Sequence, residues 1–147
     1  MKKITILFVL ALIIHTSVYS QSCLPDGILF NTQVQIDSFQ INYPNCTIIE
    51  GDIEITGDDI TNLAGLSTLT SIEGDLFIGY CTALQNLSGL DNITSIGQTI
   101  RIYMNTALVN LSGLDNISFV GQNLRITNND TLSDISSLSK IESVGEN

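Results

Sequence analysis

The sequence predicts a β-rich solenoid, a chain wound into parallel strands at about 24 residues per turn behind a disulfide-stapled helical cap. Three observations predict it. Aliphatic residues recur in fixed columns from residue 49 onward, at a spacing of 24 in the later copies. Each copy holds a Leu-x-Ile-type pair, whose period of two puts both side chains on one face of a short strand. Two cysteines flank the segment that precedes the first column.

The first element is an export leader over residues 1–20. Lys2 and Lys3 form a positive start, and Ile4 to Ile14 an apolar run. That run is too short to span a bilayer core of about 30 Å. Val18-Tyr19-Ser20 fits a peptidase site before Gln21. Ser20-Gln21-Ser22 ahead of Cys23 fits a lipoprotein cleavage box badly. No later segment reaches membrane length, so the product is expected to be secreted or at the cell surface.

The second element, residues 21–48, is expected to be the cap. An exported chain oxidises pairs such as Cys23 and Cys46. Between them, Asn31 or Thr32 starts a short helix that stops before Pro44. Ile36, Phe39 and Tyr43 give it one apolar face, suited to covering the first coil.

The third element, residues 49–147, is the repeat in four copies. Ile49, Ile72, Ile96, Val120 and Val144 mark the copy boundaries. The strand pairs are Ile53 and Ile55, Leu76 and Ile78, Ile100 and Ile102, Leu124 and Ile126. Four further columns follow, beginning at Ile60, Leu63, Leu66 and Leu69, and their spacing of three fits a turn-rich return rather than a long helix. A single copy cannot bury so many apolar residues, so the copies must stack. Asp58, Cys81, Asn105 and Asn129 form a polar column expected to hydrogen-bond between coils, with Cys81 as a small buried thiol. Gly65, Gly89 and Gly113 share a column that Ser137 completes.

The stretches GDLFIGYCTALQNLSGLDNITSI and GQTIRIYMNTALVNLSGLDNISFV resemble leucine-rich repeats of the receptor L-domain type. The resemblance covers residues 46 to 147. It implies a right-handed solenoid, recognition at the cell surface, and no catalytic residues to carry over. The last coil ends at Val144-Gly145-Glu146-Asn147, where another strand should begin. Continuation of the chain is expected there, or a partner or self-association that covers the edge.

Composition narrows the function. Without its leader the chain keeps three cations, Arg101, Arg125 and Lys140, against fifteen acidic residues, a formal charge of −12. That excludes nucleic acid as a natural partner. The one histidine, His15, lies in the leader, so His-based nucleophile pairs and His-ligated metals are excluded from the mature chain. No cofactor, metal or enzyme activity is expected. The outward strand columns hold Glu54, Phe77, Arg101 and Arg125, then Thr56, Gly79, Tyr103 and Thr127, continued by Tyr80 and Met104. Phe77, Arg101, Tyr103 and Arg125 are the candidate ligand-binding residues. The expected function is a non-catalytic recognition or adhesion module for a protein or carbohydrate. The alternative is a structural spacer or N-terminal piece of a larger surface protein. The acidic residues Asp52, Glu54, Asp58, Asp59 and Asp75 read as a solvated face, since no calcium-loop motif surrounds them. Six Asn-x-Ser/Thr triplets, at Asn45, Asn86, Asn92, Asn110, Asn116 and Asn129, read as products of the repeat.

Overall fold

A computed structural model describes residues 21–145. The leader expected over residues 1–20 lies outside the described residues. The chain runs alternately through two parallel sheets. One has six strands: β1 (Gln21–Cys23), β3 (Cys46–Ile49), β5 (Ser71–Ile72), β7 (Ser95–Ile96), β9 (Phe119–Val120) and β11 (Ser143–Val144). The other has five: β2 (Ile28–Phe30), β4 (Ile53–Ile55), β6 (Leu76–Gly79), β8 (Ile100–Tyr103) and β10 (Leu124–Thr127), stacked in that order.

The repeat columns become the registers of these sheets. Leu76 pairs with Ile100 and Ile100 with Leu124; Ile72 pairs with Ile96 and Ile96 with Val120. Like residues therefore sit over like residues. Between the sheets, the aliphatic columns from Ile49 through Val120 form one continuous buried core. Parallel strands buried on one face need this covering, and each coil supplies it to the next.

Three details differ from expectation. A second strand in each coil, at the copy boundary, was not anticipated; two-residue strands leave no alternation to read. The segment before the repeat contributes strands to both sheets. Ile28, Leu29 and Phe30 pair with Ile53, Glu54 and Ile55, so this segment already traces a coil of its own. The single helix expected there is two, α1 (Gln33–Asp37) and α2 (Phe39–Asn42), meeting at Ser38. Thr32 is the N-cap of α1: its hydroxyl accepts from the Gln35 amide while the Gln35 side chain accepts from the Thr32 amide. Ile36 and Phe39 are buried, and Phe39 meets Phe30 edge-on at 5.8 Å. Tyr43 is exposed at its rim, yet its ring still touches Phe39 at 5.5 Å. The disulfide joins Cys23 to Cys46 with their Cα atoms 5.8 Å apart, tying β1 to β3.

The glycine column shows how the return turns differ. Gly89 and Gly113 have φ of +114° and +112°, and a Cβ on either would run into the backbone of the preceding coil, at Leu63 and Leu87. Ser137 lies in a 3₁₀ helix, Ser136–Lys140, and lacks the left-handed backbone of Gly89 and Gly113. Gly65 lies in the matching 3₁₀ turn of the first coil, Ala64–Leu66.

Candidate functional site

The buried pairs of each long strand leave the residue between them facing outward. On the five-stranded sheet this produces one continuous register: Leu29, Glu54, Phe77, Arg101, Arg125. Beside it run Gly79, Tyr103 and Thr127. Phe77, Arg101, Tyr103 and Arg125 are thereby brought together on adjacent strands. The Phe77 ring lies along its own strand over Gly79, close enough that a Cβ there would collide with it. A glycine on the outward face thus lets the ring lie low against the sheet. Tyr103 packs edge-on to Tyr80, with ring centres 5.5 Å apart.

The residues after the strands extend this surface. Tyr80, Met104 and Asn128 share a column and all adopt left-handed backbone, with φ of 58°, 53° and 57°. Asn enters this region readily, whereas other side chains lose roughly 1–2 kcal/mol there. The geometry nevertheless holds Tyr80 and Met104 half in solvent at the rim of the face. Asn128, a residue type that favours left-handed backbone, is the signal in the sequence for this turn.

The charges of the face are divided along the stack. Glu54 lies on β4, Asp52 and Asp75 immediately precede β4 and β6, and Arg101 and Arg125 lie on β8 and β10; Asp52, Glu54, Asp75, Phe77 and Arg101 line one shallow depression. Among the described residues, neither guanidinium has a hydrogen bond or ion pair. The remaining described cation, Lys140, donates to Asn116 Oδ1 at 2.8 Å. Two adjacent unpaired guanidiniums repel across one strand spacing, and an anion beside them relieves that repulsion.

The other candidates have structural work. Asp52 accepts from the Asp75 amide at 2.8 Å and Asp75 from the Thr99 amide at 2.7 Å, so each carboxylate ties its coil to the next. In the polar column, Asn105 Oδ1 accepts from the Cys81 amide and Asn129 Oδ1 from the Asn105 amide, at 3.0 and 2.9 Å. Their Nδ2 groups donate back to Ile78 and Ile102 carbonyls. Asp58, expected in this ladder, is exposed and outside it; the Cys81 thiol reaches the Ile55 carbonyl directly. A carboxylate there would have placed a charge among buried carbonyls, which burial disfavours. Burial pushes the Cys81 thiol up, away from the thiolate needed for reactivity. Asn86 and Asn110 accept from the amides of Ser88 and Ser112, and Asn92 and Asn116 donate to carbonyls of the preceding coil. These four Asn side chains serve the repeat itself.

Residues 45–109 match the receptor L domain. Receptor L domains are extracellular, non-catalytic modules that bind ligands, generally proteins. The match spans the first two repeat copies and most of the outward register. No curated protein matches the chain. Among the described residues, no helix is long and apolar enough to cross a membrane, and no group of three or more His, Cys, Asp and Glu residues is arranged to hold a metal ion.

Proposed function

We propose that the chain is an exported recognition or adhesion module that binds a protein ligand on the outward face of the five-stranded sheet. In this reading residues 1–20 are a cleaved leader, residues 21–48 a disulfide-stapled helical cap, and residues 49–147 a right-handed leucine-rich-repeat solenoid. Phe77, Arg101, Tyr103 and Arg125 carry the contact, with Tyr80 and Met104 at its rim. The observation that carries the reading is the pair of arginines, without a partner among the described residues, beside a low-lying aromatic ring on the outward sheet face. Such a surface offers aromatic and guanidinium anchors, which dominate binding energies at protein interfaces. The matched family supports a binding role in preference to that of a spacer.

The test is a binding screen of the exported product against arrays of extracellular proteins and glycans. Arg101→Glu and Arg125→Glu together should weaken each true ligand at least about tenfold, on the scale of a lost interfacial charge contact. Undiminished binding by that variant rejects the face. A purely glycan signal replaces the protein reading by a carbohydrate one. Amino-terminal sequencing of the secreted product should begin at Gln21; a product beginning at Met1 rejects the leader.

A further inference from the structure

We propose that the partner of this face is a second copy of the same chain, so that the module adheres to itself. This rests on the outward sheet being the recognition face and names its occupant. The argument is the order of residues along the register. From β2 to β10 it reads Leu29, Glu54, Phe77, Arg101, Arg125, with β6 as the middle strand of five.

A two-fold axis over β6 and along its strand direction turns that order end for end. Glu54 then faces Arg101 of the second copy, and Arg101 faces its Glu54. Phe77 meets Phe77 on the axis, over the two glycines at position 79. Leu29 lies against the aliphatic stem of Arg125. The same residues stacked without the reversal would set Glu54 against Glu54 and the arginines against each other. Reversal matches Glu54 with Arg101 twice, whereas the unreversed stack sets every charge of the register against its like, so the register favours the isologous contact about this axis. The opposing Glu54 also supplies the anion that Arg101 lacks among the described residues.

Two sheets pack face to face about 10 Å apart with their strands nearly aligned, and this axis keeps them so. Five strands of three or four residues give a patch on the order of 300 Å² per copy. That is below the size of a standard stable interface, so the contact is weak for an isolated pair. Many copies on one surface would multiply it through avidity.

Charge exchange tests the assignment. Sedimentation velocity on the exported product, up to about 1 mM, should show reversible dimers of the wild type. Glu54→Arg and Arg101→Glu should each weaken dimerisation at least tenfold. Both positions are exposed, and circular dichroism should show both variants folded. An equimolar mixture of the two should dimerise again, because each chain then offers what the other needs. The double variant E54R/R101E should also regain self-association.

A wild type that stays monomeric throughout the range overturns the proposal. So does a dimer insensitive to either exchange, or two weakened variants that do not rescue each other. Loss with Arg101→Glu alone, Glu54→Arg being silent, overturns it too and indicates that another acidic group of the second copy meets Arg101. A monomeric wild type whose array ligands still depend on Arg101 leaves the recognition face standing. Failure of this inference and failure of that reading are thereby separable.

Discussion

The first and fourth coils differ in how far their aliphatic columns are covered within the described residues. At the amino-terminal end, α1 and α2 lay Ile36 and Phe39 over the first coil, and Ile60, Leu63 and Leu66 beneath them are fully buried. At the carboxy-terminal end, the corresponding columns hold Leu132, Ile135 and Leu138. Leu132 and Leu138 are only half-buried, and Ile135 is 57% exposed. The residue types are the same and the columns are the same. Burial is therefore a property of having a neighbour on both sides, not of the aliphatic side chain. Among the described residues, nothing lies over the fourth coil.

The comparison can be broken by matched substitutions. Leu108→Ala and Leu132→Ala delete the same side chain from one column. The first empties a fully enclosed site and should cost about 3 kcal/mol. The second should cost about 1 kcal/mol, since part of its surface is already in water. Urea unfolding of the two variants measures the difference, and equal losses would show that something covers the fourth coil in solution. At the other end, replacing Cys23 and Cys46 by serine should cost about 3 kcal/mol, because the bond closes a loop with a sequence separation of 23. Thermal unfolding with and without reductant checks it.

Smaller effects sharpen the same contrast. Thr32→Ala removes the capping box of α1 and should cost about 1 kcal/mol. Hydrogen exchange should localise that loss to the amino-terminal coils. The smallest effect expected is at the fourth coil. The amide of Gly113, and then the Ser137 hydroxyl, hold the Asp115 carboxyl below the usual range. Asp134 is held low by the Ser136 amide and hydroxyl. A carboxyl with a lowered folded value contributes stability that is present above its ordinary value of about 3.9. That contribution is lost as the pH falls through the lowered value. Both groups are solvent-exposed, which keeps the effect small. Exchange of the β10 and β11 amides should therefore quicken below about pH 4 before that of β6 and β8. Uniform quickening along the stack would show that the fourth coil is no weaker than the rest.

Particular residues show what could be read beforehand. The pairs Leu76 and Ile78, Ile100 and Ile102 announced strands and the face they bury, because a period of two puts both side chains on one side. That period and the repeat columns placed Phe77, Arg101, Tyr103 and Arg125 side by side. The boundary strands escaped, since a pair such as Ser95–Ile96 carries no alternation. Ile28-Leu29-Phe30 is apolar throughout and shows no alternation, and a strand there needs β4 as its partner. The fate of Asp58 escaped as well, because column membership does not say whether a carboxylate will be tolerated.

The sequence alone determined the buried columns, the cysteine pair and the charges on the outward strands. Each of these follows from periodicity and composition, which are local properties of the chain. Tertiary structure alone decided that the amino-terminal segment joins both sheets, that the Phe77 ring lies over Gly79, and that Tyr80 and Met104 are held in left-handed backbone. It also decided that Leu29 extends the outward register, so that the order of charges reads end for end against a second copy. These depend on which strand lies beside which and on how closely two coils approach, and distances between coils are not written in any one of them.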